Sequence, residues 1–139
     1  MKNELVLREE EWMKNNRFRD LIGLQIEDIG EGTATLSLAV QDQLLQGAGM
    51  VHGGVITTLI DSVIGSAVRS VMADHMISLT AELNINFFRP ATQGRIFAEG
   101  RVINRGKQLA VGVGDIKDEN GKLLATGRAT YVLKEITKK

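Results

Sequence analysis

Two features of the chain carry groups able to do chemistry. One is the run Gln46-Gly47-Ala48-Gly49-Met50-Val51-His52-Gly53-Gly54; the other is Asp61, eight residues beyond Gly53. Asp61 sits among Leu59, Ile60, Val63 and Ile64, with no lysine or arginine within one helical turn. A carboxylate buried in such surroundings without a partner is strongly destabilising. On a helix, Thr57, Thr58, Asp61, Gly65 and Arg69 fall on one face. Either that face is wet, with Asp61 solvated or paired to Arg69, or Asp61 is a carboxylate held for acid–base or nucleophilic work. Gly53 and Gly54 stand where a helix would begin, and there the first N–H groups lack partners and the helix dipole is positive. Glycine lets a ligand oxygen approach the backbone closely, which suits stabilisation of a developing oxyanion. The plainer alternative for His-Gly-Gly is a flexible helix start with His52 in a cap-like position.

The spacing has a geometric consequence. Gly53 and Asp61 lie about 12 Å apart along a helix axis, whereas a base or nucleophile must come within about 3–3.5 Å of its target. One subunit cannot easily present both groups to one carbonyl. Antiparallel helices in a two-fold dimer can, so an obligate dimer with two sites across the interface is expected.

The elements that must position these groups follow from periodicity. Residues 4–20 read as a polar surface helix with scattered apolar positions, and 21–29 as a strand ending in the turn Ile29-Gly30-Glu31-Gly32. Thr33, Thr35 and Ser37 alternate with Ala34, Leu36 and Leu38, which marks a strand with one buried face. A loop over Gln41–His52 leads into a helix from Gly53 to about Met72, about 30 Å long and apolar nearly all round, hence buried on most sides. Four strand-like runs follow, Ile77–Phe88, Arg95–Asn104, Gln108–Lys117 and Lys122–Leu133. The connections, among them Asn120-Gly121, carry turn chemistry and predict an antiparallel meander of these four. A long buried helix and a long sheet leave few arrangements: the sheet must curl round the helix. Gly100, Gly112, Gly114 and Gly127 mark either the places where it bends over the helix or ordinary bulges. The class is α+β in a single domain over 1–139, an N-terminal helix at 1–20 and a core at 21–134.

Composition narrows the function. The chain of 139 residues has no cysteine and a formal net charge of zero. Disulfides, thiolate chemistry and cysteine metal sites are excluded, and the basic footprint of a nucleic-acid binder is missing. The start of the chain, charged through Arg8 to Glu11, is unlike a signal peptide. Asp61 and Arg69 interrupt the most apolar stretch, so a buried helix is expected rather than a membrane span. A soluble cytoplasmic protein is the expectation.

The chain also resembles a known family, the PaaI-like hotdog thioesterases, named after phenylacetic acid degradation. The resemblance runs from about Ile22 to Leu133. It is carried by Met50-Val51-His52-Gly53-Gly54-Val55-Ile56-Thr57-Thr58-Leu59-Ile60-Asp61, by Leu83–Ala91 (Leu-Asn-Ile-Asn-Phe-Phe-Arg-Pro-Ala) and by Gly121–Arg128. It implies a hotdog fold and hydrolysis of an aryl- or medium-chain acyl-coenzyme A, with coenzyme A as part of the substrate and no metal or redox cofactor. It implies homodimers, commonly paired into tetramers. Asp61 takes the place of the catalytic carboxylate, as general base or nucleophile, and Gly53 that of the glycine whose N–H polarises the thioester carbonyl. His52 matches a histidine that orients the loop or the thioester. Gln46, where relatives carry Asn or Gln, holds the carbonyl or the water. Thr80, where some carry Ser, positions the water across the dimer. Phe88, Arg89 and Pro90, with Asn104, Arg105, Gly106 and Lys107, correspond to segments that receive the coenzyme A phosphates. Arg89, Arg105 and Lys107 suit that chemically but equally suit solvated turns.

Two rivals share the fold. Acyl-thioester hydratases place a histidine five residues after a catalytic aspartate, and neither His52 nor His75 has that partner. A non-catalytic acyl-CoA sensor is the alternative function, since Asp61 alone does not prove turnover. Two histidines without a spaced ligand set disfavour a metal, and Gly112-Val113-Gly114 is too short for a nucleotide fingerprint.

Overall fold

A computed structural model describes residues 2–136. Asn3 and Asn16 explain the beginning of the chain. The Asn3 side chain caps α1, Glu4–Met13, by accepting from the Val6 N–H, and Asn16 caps α2, Arg17–Ile22, by accepting from the Arg19 N–H. A side-chain acceptor at this position satisfies an orphan N–H and starts a helix. The single helix expected over 4–20 is therefore two. Leu21 and Ile22 belong to the second helix rather than to a strand, because Gly23, at φ 74°, ends α2 in the left-handed conformation.

The sheet begins with β1, Gln25–Gly30, and β2, Thr33–Ala39. A single 3-10 turn at Asp42–Leu44 precedes α3, Gly53–Ser70. Four strands follow: β3, Met76–Phe87; β4, Arg95–Arg105; β5, Leu109–Lys117; and β6, Leu123–Glu135. All pairings are antiparallel, in the spatial order β1-β2-β4-β5-β6-β3. The expected meander holds for β4, β5 and β6 only; β3 pairs with β6. The segment from Phe88 to Gly94 is a crossing rather than a hairpin. Phe88 and Arg89 donate to the Leu124 carbonyl at its start, Val51 donates to Ala91 in its middle, and Val40 donates to Gly94 at its end. It therefore carries the chain from the β6 side of the helix start to the β2 side.

The helix lies in the concave face of this sheet. Leu59, Ile60, Val63, Ile64, Ala67 and Val68 are fully buried against Leu36, Leu38, Ile96, Ala98, Ala110, Ile116 and Ala129. Gly100, Gly114 and Gly127 stand opposite one another on β4, β5 and β6. A side chain at Gly100 would meet the Val63 carbonyl at 2.9 Å, and one at Gly127 would meet Ile60 Cγ2 at 2.7 Å. This row of glycines packs directly on α3, against its backbone at Gly100 and against the Val63, Ile64 and Ile60 side chains at Gly114 and Gly127, as expected for interior strand glycines that allow close approach. The result is the helix-in-curved-sheet architecture of the hotdog fold. Among the described residues no helix is long and apolar enough to cross a membrane.

Candidate active site

Asp61, half-buried, turns from α3 toward Thr80 of β3 and Tyr131 of β6. Two hydroxyls converge on its Oδ1: Thr80 Oγ1 donates at 2.8 Å, and Tyr131 Oη lies at 2.7 Å. The tyrosine hydroxyl also reaches the Asp61 backbone carbonyl at 2.5 Å. Thr80 and Tyr131 are register partners on β3 and β6, so one rung of the sheet supplies both donors. Burial, and then the Asp61 charge and its hydrogen bond, push the Tyr131 hydroxyl well above the usual tyrosine range. The phenol therefore stays protonated and remains a donor. Both contacts fall on Oδ1, which fixes the carboxylate plane, and Oδ2 has no hydrogen-bond donor among the described residues.

Arg69 does not pair with Asp61. Its Nε bonds Glu9 Oε1 of α1 at 2.7 Å, and its guanidinium lies 5.6 Å from the centre of the Trp12 ring. The Arg69-paired alternative for Asp61 is thereby excluded; the carboxylate is half-buried and held by two hydroxyls.

The second cluster lies at the start of α3. His52 is the N-cap, and its Nδ1 accepts from the Gly54 N–H at 2.8 Å. That bond requires an unprotonated Nδ1, leaving a neutral imidazole its Nε2–H as donor. The first N–H of the helix, that of Gly53, has no hydrogen-bond acceptor among the described residues. Gly53 lines a cavity of about 320 Å³, together with Gln46, Met50, Ile56, Phe87, Phe88, Arg89 and Pro90 among others. The loop around Gln46 is held by its own turn: Gln46 donates to the Met50 carbonyl at 2.7 Å, and its side-chain oxygen accepts from the Ala48 N–H. The side-chain NH2 of Gln46 has no acceptor among the described residues.

The structure thus gathers Gln46, Gly53, Phe88, Arg89 and Pro90 in one place, with His52 setting the helix start, and Asp61 with Thr80 in another. Within one chain the two clusters stay apart, by about 12 Å of helix axis. Thr80 donates to the Asp61 carboxylate of its own chain. Asn104, Arg105, Gly106 and Lys107 are exposed and lie at the opposite end of the sheet from Arg89. Gln108, just beyond them, accepts from Leu133 of β6, whereas Arg89 is tied to Leu123 and Leu124 at the other end of that strand. At about 3.3 Å per residue the two segments are about 30 Å apart, so they cannot hold one ligand within a single chain.

Tyr131 escaped the sequence reading. The signal was available: it is the only tyrosine, on an inward-facing position of an alternating strand, where a phenol must find a partner. Among the described residues no group of three His, Cys, Asp or Glu side chains could hold a metal.

Comparison with known proteins identifies the family. Residues 48–125 match the model of the Thioesterase superfamily. The 1,4-dihydroxy-2-naphthoyl-CoA hydrolase of Listeria monocytogenes is 31% identical over 119 residues, 84% of this chain and 95% of that protein. The solved structure of a thioesterase family protein from Silicibacter pomeroyi superposes with a TM-score of 0.87 at 25% identity, covering 91% of this chain and 96% of that one. A thioesterase from Haemophilus influenzae, at 23% identity, shares the fold with a TM-score of 0.88 over 99% of this chain and 95% of that one. The chain belongs to the thioesterase superfamily. It is a thioester hydrolase of the hotdog fold.

Proposed function

We propose that the protein hydrolyses an aryl- or medium-chain acyl-coenzyme A to the free acid and coenzyme A, in two sites shared between the subunits of a homodimer. The supporting observation is the division of labour along α3. Gly53, whose N–H has no acceptor among the described residues, lines one cavity, and the Asp61 carboxylate, clamped through Oδ1, is displayed about 12 Å further along the same helix.

The edge strand β3 offers the means of joining them. One side pairs with β6, the other is free, and Leu79, Phe87 and Phe88 are 49%, 55% and 51% exposed. A second copy pairing antiparallel about a two-fold axis between Leu83 and Asn84 would set Thr80 of one chain opposite Phe87 of the other. Phe87 lies against Gly53: its ring is 3.6 Å from where a side chain there would begin. Asp61 of one subunit would then face Gly53 of its partner. The same operation would bring Arg105 and Lys107 of one chain toward the Arg89 end of the other, as binding of a coenzyme A phosphate would require.

In this site the thioester carbonyl accepts from the Gly53 N–H and the Gln46 amide. Asp61 removes a proton from water as the water adds to the carbonyl carbon, and the C–S bond then breaks to give the free acid and the coenzyme A thiolate. If Asp61 adds to that carbon itself, the C–S bond breaks to leave an acyl–aspartyl anhydride and the thiolate, and water then cleaves the anhydride to the free acid and the Asp61 carboxylate. His52 acts by fixing the helix start, and Thr80 and Tyr131 by fixing Asp61.

The test is release of coenzyme A from a panel of acyl thioesters by wild type and Asp61→Asn. Release lost in the variant supports this assignment and ranks the acyl groups. Tight coenzyme A binding without any release would identify a sensor instead.

A further inference from the structure

The buried ion pair of Glu9 and Arg69 belongs to neither cluster, yet it stands on the stripe of α3 that carries Asp61. Positions 61, 65 and 69 follow one another at one turn each, and a long helical side chain points back toward the helix start. The Arg69 guanidinium accordingly reaches back over Gly65. A Cβ placed on Gly65 would lie 3.4 Å from Arg69 Nη1 and 3.5 Å from Tyr131 Oη. Both atoms flank one point on the helix surface, and Gly65 puts no side chain between the guanidinium and the hydroxyl that bonds Asp61.

The guanidinium is held in that direction by its other contacts. Its Nε donates to Glu9 Oε1 at 2.7 Å, its Nη2 donates to Ser66 Oγ at 3.4 Å, and the Trp12 ring centre lies 5.6 Å away. Nη1, the nitrogen on the Gly65 side, has no acceptor among the described residues. The side chains are 18% exposed at Arg69 and 4% at Glu9, so salt and solvent screen these charges weakly. Glu9 Oε2 is buried without a donor among the described residues, a rare state for a carboxylate oxygen. Burial and the Asp61 charge push the Tyr131 hydroxyl up, and the Arg69 charge acts against them.

We propose that Arg69 is a positioning residue for Asp61, acting through Tyr131. A cation facing the phenol oxygen turns its O–H away, toward the carboxylate, and favours the ionised form of that carboxylate. Glu9 aims the guanidinium and offsets part of its charge. The inference rests on the reading of Asp61 as the carboxylate that acts on the thioester. Among the described residues, the charged and titratable groups on this stripe are Tyr131 from β6 and Arg69 from α3, with Glu9 of α1 behind the guanidinium. The strand β3 adds the neutral Thr80, and in the proposed dimer His52 stands beside the facing Gly53. The first helix thereby becomes part of the support of Asp61, although it touches neither cluster.

The test is the pH midpoint at which the Asp61 carboxyl titrates in the full chain, read by NMR with 13C in the aspartate carboxyls and assigned with Asp61→Asn. Glu9→Gln leaves the Arg69 charge unopposed and should lower the midpoint; Arg69→Gln removes that charge and should raise it. Each shift is expected to be about 0.5–1 pH unit, for a charge about 12 Å away, two turns of helix, at an effective dielectric constant of about 20. Shifts of opposite sign support the proposal. A pair that only fastens α1 to α3 would lower both melting temperatures and move the midpoints together or not at all, and that result would overturn it. If one variant fails to fold, the sign of the other decides. The acid limb of kcat/KM for coenzyme A release should follow the midpoints. Opposite NMR shifts with an unmoved limb would uphold the coupling of Arg69 to Asp61 and overturn the reading of Asp61 as the acting carboxylate.

Discussion

Proline at position 53 removes the proposed oxyanion donor and almost nothing else. Gly53 is the first residue of α3, where proline is favoured because its fixed φ suits the helix and the missing N–H has no helical partner. A residue before proline must be extended, and His52 already is, at φ −60° and ψ 138°. The Gly53 N–H makes no hydrogen bond among the described residues. A Cβ there would meet the Phe87 ring at 3.6 Å, an ordinary contact. Stability should therefore hold, or rise by about 0.4–1 kcal/mol from the stiffer unfolded chain. Loss of one oxyanion donor elsewhere costs about 100–1000-fold in kcat, or about 2.7–4 kcal/mol. Stopped-time thiol release on the best acyl thioester, beside a thermal melt, measures both. A Gly53→Pro enzyme that melts like wild type and keeps kcat within threefold would refute the assignment of this N–H to the carbonyl.

Further outcomes follow from the same geometry. Mixing subunits of Asp61→Asn with subunits of Gly53→Pro, each inactive alone, should restore about a quarter of wild-type activity after refolding together, since each mixed dimer regains one intact site; no recovery would place both groups in one subunit's site. Tyr131→Phe removes the 2.7 Å contact to Oδ1 and should lower kcat about tenfold at little cost in KM, reflecting about 1.5 kcal/mol of a hydrogen bond to a charged acceptor. The raised Tyr131 value also predicts a pH effect: its contribution to stability is whole below about pH 10, the range of an unfolded tyrosine, and is lost as pH rises beyond it, because the unfolded chain ionises first. Alkaline melts of wild type should therefore fall more steeply than those of Tyr131→Phe. Gly127→Ala would force a Cβ to 2.7 Å from Ile60 and 3.0 Å from the Asn84 carbonyl, and overpacking of this kind costs about 1–3 kcal/mol, readable as a lowered midpoint in urea.

Much of this was legible in the residues. The period-two alternation of Thr33–Leu38 and the all-round apolar pattern after Gly53 define a strand and a buried helix, because burial selects side chains at the period of the element. The glycines at 100, 114 and 127 could be read as places where the sheet bends over that helix, and they face it. Other features were not legible. The place of β3 was missed because a seven-residue connection looks like a hairpin unless one knows that its N–H groups bond to Leu124 and its carbonyls to Val51 and Val40. The break between α1 and α2 hangs on Asn16 turning its side chain back to Arg19, a local choice that hydrophobic period does not report.

The candidate site divides along the same line. Sequence alone determined which groups are available and how far apart one helix holds them: a glycine N–H at its start and a carboxylate two turns on, since helical rise is fixed by backbone geometry. Tertiary structure decided what each group meets. It brought Thr80 and Tyr131 onto Asp61 Oδ1, gave Arg69 to Glu9 and not to Asp61, and left Arg105 and Arg89 at opposite ends of the sheet. Those partners come from strands and helices as much as 70 residues apart in the chain, and which of them meet depends on strand order and register, which only the packed sheet establishes.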